Sequence, residues 1–159
     1  MRLGILAIGR LKSGAERVLV DRYLERLKGA RGVGIGPIYE KEFVEARAAG
    51  SSERRSDEAT RLLKAAGEAD ILVALDEAGE QMTSAAFAAW LGRERDRGAR
   101  HAAFLIGGPD GQGEASIAAA TLRLSLGAMT LPHGLARAVL AEQLYRATTI
   151  LLGHPYHRA

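Results

Sequence analysis

The apolar run Phe104-Leu105-Ile106 stops abruptly at Gly107-Gly108-Pro109-Asp110-Gly111, and this junction constrains the chain more than any other stretch. A strand broken by glycines is a place where a ligand can approach bare backbone, because no side chain stands in the way. Behind it come Leu126-Gly127-Ala128-Met129-Thr130-Leu131-Pro132-His133, a long helical pattern, and the tail Gly153-His154-Pro155-Tyr156-His157-Arg158-Ala159. Everything upstream reads as scaffold for this last third. The double glycine also fits a plain tight turn. It is not a P-loop, since no Gly-Lys-Ser/Thr follows, so hydrolysis of a nucleoside triphosphate has no support.

Upstream, apolar runs alternate with helical patterns. Leu3 to Ile8 fits a strand, and Ala15 to Lys28 fits a helix with Val18, Tyr23, Leu24 and Leu27 on one side and a stop at Gly29. Gly32 to Tyr39 alternates like a strand. Its glycines form no dinucleotide fingerprint, because no helix starts at the right offset. Lys41 to Ser56 is charged and predicts a solvated loop running into a helix over Asp57 to Ala66, with Ala59, Leu62, Leu63 and Ala66 inward. Ile71 to Leu75 is the clearest buried strand and ends where Asp76-Glu77-Ala78-Gly79-Glu80 takes over. Thr83 predicts an N-cap for a helix to about Arg97 carrying Phe87, Trp90 and Leu91. Ala102 to Ile106 is the next strand, Glu114 to Ala120 a short helix and Leu122 to Leu126 the last strand. This alternation predicts one α/β domain over residues 1–159, with a mostly parallel sheet flanked by helices. Ligands of such sheets sit at the carboxyl ends of strands, here marked by Leu75 and Ile106.

The final helix, Gly134 to Leu152, places Leu140, Leu144, Ala147 and Leu151 on one face at 100° per residue. Leu135, Val139 and Ile150 fall on roughly the opposite face, beside Glu142 and Arg146. A helix apolar on two sides is usually buried on two sides. One side packs on its own sheet; the other predicts a homodimer, with Glu142 and Arg146 pairing one turn apart. The alternative is a helix sandwiched within a single chain.

Charge and composition narrow the partners. The chain has 47% hydrophobic and 26% charged residues, which argues against disorder. With no cysteine, thiolate catalysis, disulfides and Cys-ligated zinc are excluded. The amino-terminal apolar run is too short for a secretory signal or a membrane span, so a cytoplasmic protein is expected. The net charge is +3, and Leu122 to Ala159 holds Arg123, Arg137, Arg146 and Arg158 against the single acid Glu142. That clustering predicts a phosphate-facing surface. His133 fits an ordinary loop histidine as well as a ligand. His154 and His157 have no third partner at metal-site spacing, so no metal is expected. The tail can be a solvated end or an RNA contact: its ring can stack on a base, its arginine can hold phosphate and its histidines can move protons. Asp110 could cap the following segment or touch a ligand. Asp76 and Glu77 read as polar groups at a strand end.

Four ordered motifs together carry a resemblance. Phe104 to Gly111, Met129-Thr130-Leu131-Pro132-His133, Ala141-Glu142-Gln143-Leu144-Tyr145-Arg146-Ala147 and His154 to Arg158 resemble the RlmH (YbeA-like) family, a branch of the SPOUT methyltransferases. The start, Leu6 to Lys12, is similar too, so the likeness spans the chain. The resemblance implies methylation of N3 of a pseudouridine in helix 69 of 23S ribosomal RNA, with S-adenosylmethionine, on assembled 70S ribosomes. It also implies a homodimer and a trefoil knot near the C-terminus, which general topology rules would not suggest. Carried over by position, the cofactor pocket comprises Leu75, Gly107, Gly108, Leu126, Gly127, Ala128, Met129, Thr130 and Leu131. Some relatives have a polar residue where this chain has Gly127. The tail residues His154, Tyr156, His157 and Arg158 are expected to complete the catalytic site, in the same or the partner subunit. His133 and Arg137 would place RNA phosphate or the target base. Two other readings share the double glycine: a non-enzymatic ribosome-binding factor, and a nucleotide- or flavin-binding α/β domain. Neither explains the loop, helix and tail motifs together.

Overall fold

The computed structural model describes residues 1–29 and 32–156. In chain order the elements are β1 (Arg2–Ile8), α1 (Ala15–Gly29), β2 (Ile38–Phe43), α2 (Ser51–Ala66) and β3 (Ile71–Gln81). They continue as α3 (Ser84–Asp96), β4 (His101–Ile106), α4 (Glu114–Ala119), β5 (Leu122–Ser125) and α5 (His133–Leu151). The strands form one parallel sheet in the order β2-β1-β4-β3-β5. β1 and β4 lie inside it, and their residues are buried from Leu3 and His101 onward. That is why both read as near-continuous apolar runs: a parallel strand is covered on both faces.

Side chains alternate across the sheet with period two. Leu3, Ile5, Ala7, Val73 and Phe104 share a core with Leu27, Phe87, Leu91, Leu140 and Leu144. On the other side Leu6, Ile8, Ala103 and Leu105 pack with Leu62 and Ala66 of α2. Helices α1, α3 and α5 therefore cover one face, with α5 packed between the other two, while α2 and α4 pair on the opposite face. Phe87 meets Phe104 edge-on at 6.3 Å and stacks with Trp90 at 6.0 Å. Thr83 caps α3, its hydroxyl accepting from Ala86 N at 3.1 Å.

The sequence expectations hold for the sheet and its central strands and need correction elsewhere. The second strand lies at Ile38–Phe43 rather than Gly32 to Tyr39, so part of the stretch expected to be solvated is sheet. Its charges have a structural use: Glu40 and Glu42 accept from Arg17 and Arg137, which come from α1 and α5. Helix α2 begins at Ser51, six positions before the expected start at Asp57. β3 does not end at Leu75. After an irregularity between Leu75 and Glu80 it resumes its pairing with β5, Glu80 opposite Leu124 and Gln81 opposite Ser125. In α1, Val18 is exposed and Val20 takes the buried place. The two-sided pattern of α5 is as expected: Leu140, Leu144 and Ala147 are fully buried, whereas Leu135 and Val139 are exposed.

Candidate functional site

A cavity of about 780 Å³ opens at the carboxyl ends of β4 and β5 and at the irregularity in β3, where Leu75, Ile106 and Leu124 line it. This is where a parallel sheet leaves backbone groups and loops free to converge on a ligand. Three loops wall it: the glycine turn Gly107–Gly111, the excursion of β3 at Asp76 and Glu77, and the loop from Leu126 to Pro132.

The glycine turn is tightly held. Gly111 N donates to Gly108 O at 2.9 Å, and Gln112 Nε2 donates to Leu105 O at 2.7 Å. Arg54 of α2 grips Asp110 with both forks, at 2.6 and 3.1 Å, and also donates to the carbonyls of Ala48 and Ala49. The Arg54 guanidinium holds the Asp110 carboxyl below its usual range, so it is an anion at neutral pH. Asp110 is therefore an anchor for the turn and not a helix cap; Gly113 precedes α4 without a side-chain cap. At Gly107 a Cβ would lie 2.6 Å from Gly111 O, so the turn closes only around a residue with no side chain.

The excursion of β3 and the loop after β5 brace each other. Asp76 accepts from Arg123 at 2.5 Å, and Glu77 accepts from the Thr130 hydroxyl at 3.0 Å. Ser125 Oγ donates to Gly127 O and accepts from Gly127 N, which turns the chain at the end of β5. Of the residues predicted for the pocket, Leu75, Gly107, Gly108, Leu126, Gly127, Met129, Thr130 and Leu131 line the cavity; Ala128 does not. Met129 lines the cavity while remaining 83% exposed. His133 opens α5 at the cavity wall, its ring against the bare Cα of Gly9.

The lining carries Asp76, Glu77 and Asp110 but no lysine or arginine. Such a cavity suits a neutral or cationic ligand with hydrogen-bonding groups and is a poor host for phosphates. Sequence reasoning left Asp76 and Glu77 as strand-end groups and gave no role to Gln112 or Arg54. The signal for the first pair was the break after Leu75; that β3 resumes pairing at Glu80 is visible only in the fold.

Other expected site residues fall elsewhere. Arg137 is fully buried, bonded to Gly9 O at 2.7 Å, to Glu40 at 3.1 Å and to Glu42. It cannot touch RNA directly, because its donors are turned inward to two carboxylates and a carbonyl. The phosphate-facing surface expected from Leu122 to Ala159 also changes. Arg123 pairs with Asp76 and Arg146 with Glu142, at 2.5 Å each, so three of its four arginines are neutralised. The tail folds back along α5: the Tyr156 hydroxyl donates to Glu142 at 3.3 Å and its ring packs on Tyr145 at 4.9 Å. Arg146 lies over the same ring at 5.1 Å. Burial, the Tyr23 side chain and the Glu142 carboxylate push the Tyr156 phenol up to about 12, which keeps it a donor. His154 accepts from Tyr156 N at 3.1 Å. Glu142 lies roughly 9 Å along the helix axis from Ala136, the cavity residue nearest to it on α5, and Tyr156 does not line the cavity. His157 and Arg158 lie outside the described residues. Among those residues no cluster of three metal-ligating side chains occurs, and no helix is long and apolar enough to cross a membrane.

Comparison with known proteins shows the family. Residues 1–157 match the family described as "Predicted SPOUT methyltransferase". The chain is 49% identical over 160 residues to a protein of Rhizobium meliloti named "Ribosomal RNA large subunit methyltransferase H", covering 100% of both. Proteins of the same name from Rhizobium etli and Bradyrhizobium diazoefficiens are 48% and 47% identical, with 99% and 100% of each chain covered. With its parallel sheet, its glycine turn at the end of β4 and this match along the chain, the protein belongs to the SPOUT methyltransferases, in the RlmH family.

Proposed function

We propose that this chain is an S-adenosylmethionine-dependent methyltransferase that modifies N3 of a pseudouridine in helix 69 of 23S ribosomal RNA, on assembled 70S ribosomes in the cytoplasm. In this reading residues 1–159 act as one methyltransferase domain. The observation that carries it is the cation-free cavity at the strand ends, in a chain similar throughout to proteins named for large-subunit ribosomal RNA methylation.

The residues present fit the cofactor. Leu75, Leu126 and Leu131 offer apolar walls for an adenine ring, and the close-packed turn at Gly107 leaves backbone groups facing the cavity. Asp76 and Asp110 are taken up by Arg123 and Arg54, which leaves the Glu77 carboxylate to favour the positive charge of a sulfonium or an ammonium group. When bound, S-adenosylmethionine supplies an electrophilic methyl group. The chain's part is to hold donor and acceptor in line and exclude water, since alignment of two reactants supplies much of the acceleration. The uracil N3 carries a proton that must leave as the new N–C bond forms. His133 lines the cavity and would be available to that proton or to a base carbonyl.

The direction of the tail favours a homodimer. Tyr156 lies beside Glu142, away from its own cavity, while Leu135 and Val139 leave an apolar strip exposed on α5. A partner packed along that strip would bring the tail residues His154, Tyr156, His157 and Arg158 to the cavity of the other subunit. The trefoil knot belongs to the same reading. In its support, β5 pairs at the sheet edge beside β3, and α5 then returns across the sheet face to α1.

The reading is tested by nucleoside analysis of 23S RNA from cells with and without the gene. Loss of N3-methylpseudouridine from helix 69 on deletion, restored by the gene in trans, is expected; an unchanged nucleoside would contradict it.

A further inference from the structure

Arg123, Arg137 and Arg146 are neutralised within the fold, so further cations that meet RNA must come from elsewhere. The loop between β1 and α1, Gly9 to Gly14, borders the cavity through His133: Gly9 packs under the His133 ring, and the Leu11 side chain lies against Gly134. This loop carries Arg10 and Lys12 and no acid. Both side chains are exposed, and neither makes an ion pair or side-chain hydrogen bond among the described residues.

The backbone beneath them is held on both sides of Arg10. Gly9 O accepts from the buried Arg137 at 2.7 Å, and Leu11 N donates to Glu42 Oε1 at 2.8 Å. Arg137 and Glu42 are themselves bonded to each other. Gly9 sits at φ +88°, a conformation that an L side chain would strain. What this anchoring achieves is to fix the backbone that carries two uncompensated cations, beside His133 of the cavity wall.

We propose that the β1–α1 loop is a phosphate grip, in which Arg10 and Lys12 bind backbone phosphates of the RNA beside the target nucleotide. The inference rests on the methyltransferase reading and adds a phosphate contact to it. Arg137 then acts on RNA only through the loop, as a positioning residue. Each phosphate neutralised by a cation releases counterions, so such contacts have a salt signature that a purely structural loop lacks.

The test uses the full-length protein, intact ribosomes lacking the modification, and labelled S-adenosylmethionine over a series of salt concentrations. In the Arg10→Ala/Lys12→Ala protein, KM for ribosomes should rise roughly tenfold or more, and the plot of log kcat/KM against log salt should be shallower by about 1.5. Cofactor affinity by calorimetry should match wild type, and Arg10→Lys with Lys12 intact should recover most of the loss. Wild-type KM and salt slope in the double variant would overturn the grip while leaving the methyltransferase reading standing. A wild-type protein that binds the cofactor but transfers no methyl to these ribosomes would overturn the reading, and the grip with it.

Discussion

Gly107 has no room for a side chain, because Gly111 O would sit 2.6 Å from its Cβ. Gly107→Val must open the turn, and we expect a loss of S-adenosylmethionine affinity of at least tenfold by calorimetry; unchanged affinity would count against the pocket. His101 offers a second test at this scale, one that concerns stability. Its Nδ1 faces Arg2 Nη2 at 3.3 Å and its Nε2 faces the Tyr39 hydroxyl at 3.0 Å. Arginine can only donate, so Nδ1 accepts and the ring hydrogen sits on Nε2. Burial, aided by Arg2, lowers the His101 pKa from its ordinary 6.5. The unfolded chain therefore takes up a proton before the folded one does. Stability from this group is full above pH about 6.5 and falls as pH drops from there through the folded value. Urea titrations at pH 7.5 and 5.5 should show a smaller acid loss in His101→Gln than in wild type; equal losses would contradict this. Little of it is legible in the sequence, since the partners of His101 are Arg2 and Tyr39, far away in the chain.

At the scale of elements, what could be read was what depends on neighbours in sequence. The apolar runs of β1 and β4, the Thr83 cap and the face of α5 formed by Leu140, Leu144 and Ala147 are all local patterns. β2 was expected too early, at Gly32 to Tyr39, because Glu40 and Glu42 look solvated until Arg17 and Arg137 are brought to them. The Arg54–Asp110 pair was hidden for the same reason: its ends are 56 positions apart. Arg137, read as an RNA contact from its charge, is the buried end of the first of these networks. Arg137→Met leaves Glu40 and Glu42 with less compensation, and we expect a loss of about 3–5 kcal/mol in urea unfolding. Leu144→Ala removes a fully buried side chain from the α5 core and should cost about 2–5 kcal/mol in the same measurement. A loss below about 1 kcal/mol in either would mean that the fold relaxes around the change.

For the molecule as a whole, the tail and the second face of α5 pose one question. Both features are visible in the sequence, and in the fold Tyr156 of the tail packs on Glu142 and Arg146 of α5. Deleting Gly153 to Ala159 should abolish methyl transfer while leaving cofactor binding measurable, and full activity in the truncated protein would exclude the tail. Val139→Asp places a charge in the exposed apolar strip and should shift the protein toward monomer in sedimentation; an unchanged mass would move the interface elsewhere. If tail and pocket act across subunits, mixing the truncated protein with Gly107→Val should restore part of the activity. The most direct measurement remains the transfer itself, with purified protein, labelled S-adenosylmethionine, and 70S ribosomes or free 23S RNA from cells lacking the modification. We predict label on N3 of a helix 69 pseudouridine, with 70S ribosomes preferred over free RNA. No transfer to either, from a protein that is folded and dimeric, would contradict the account and favour a ribosome-binding factor without catalysis.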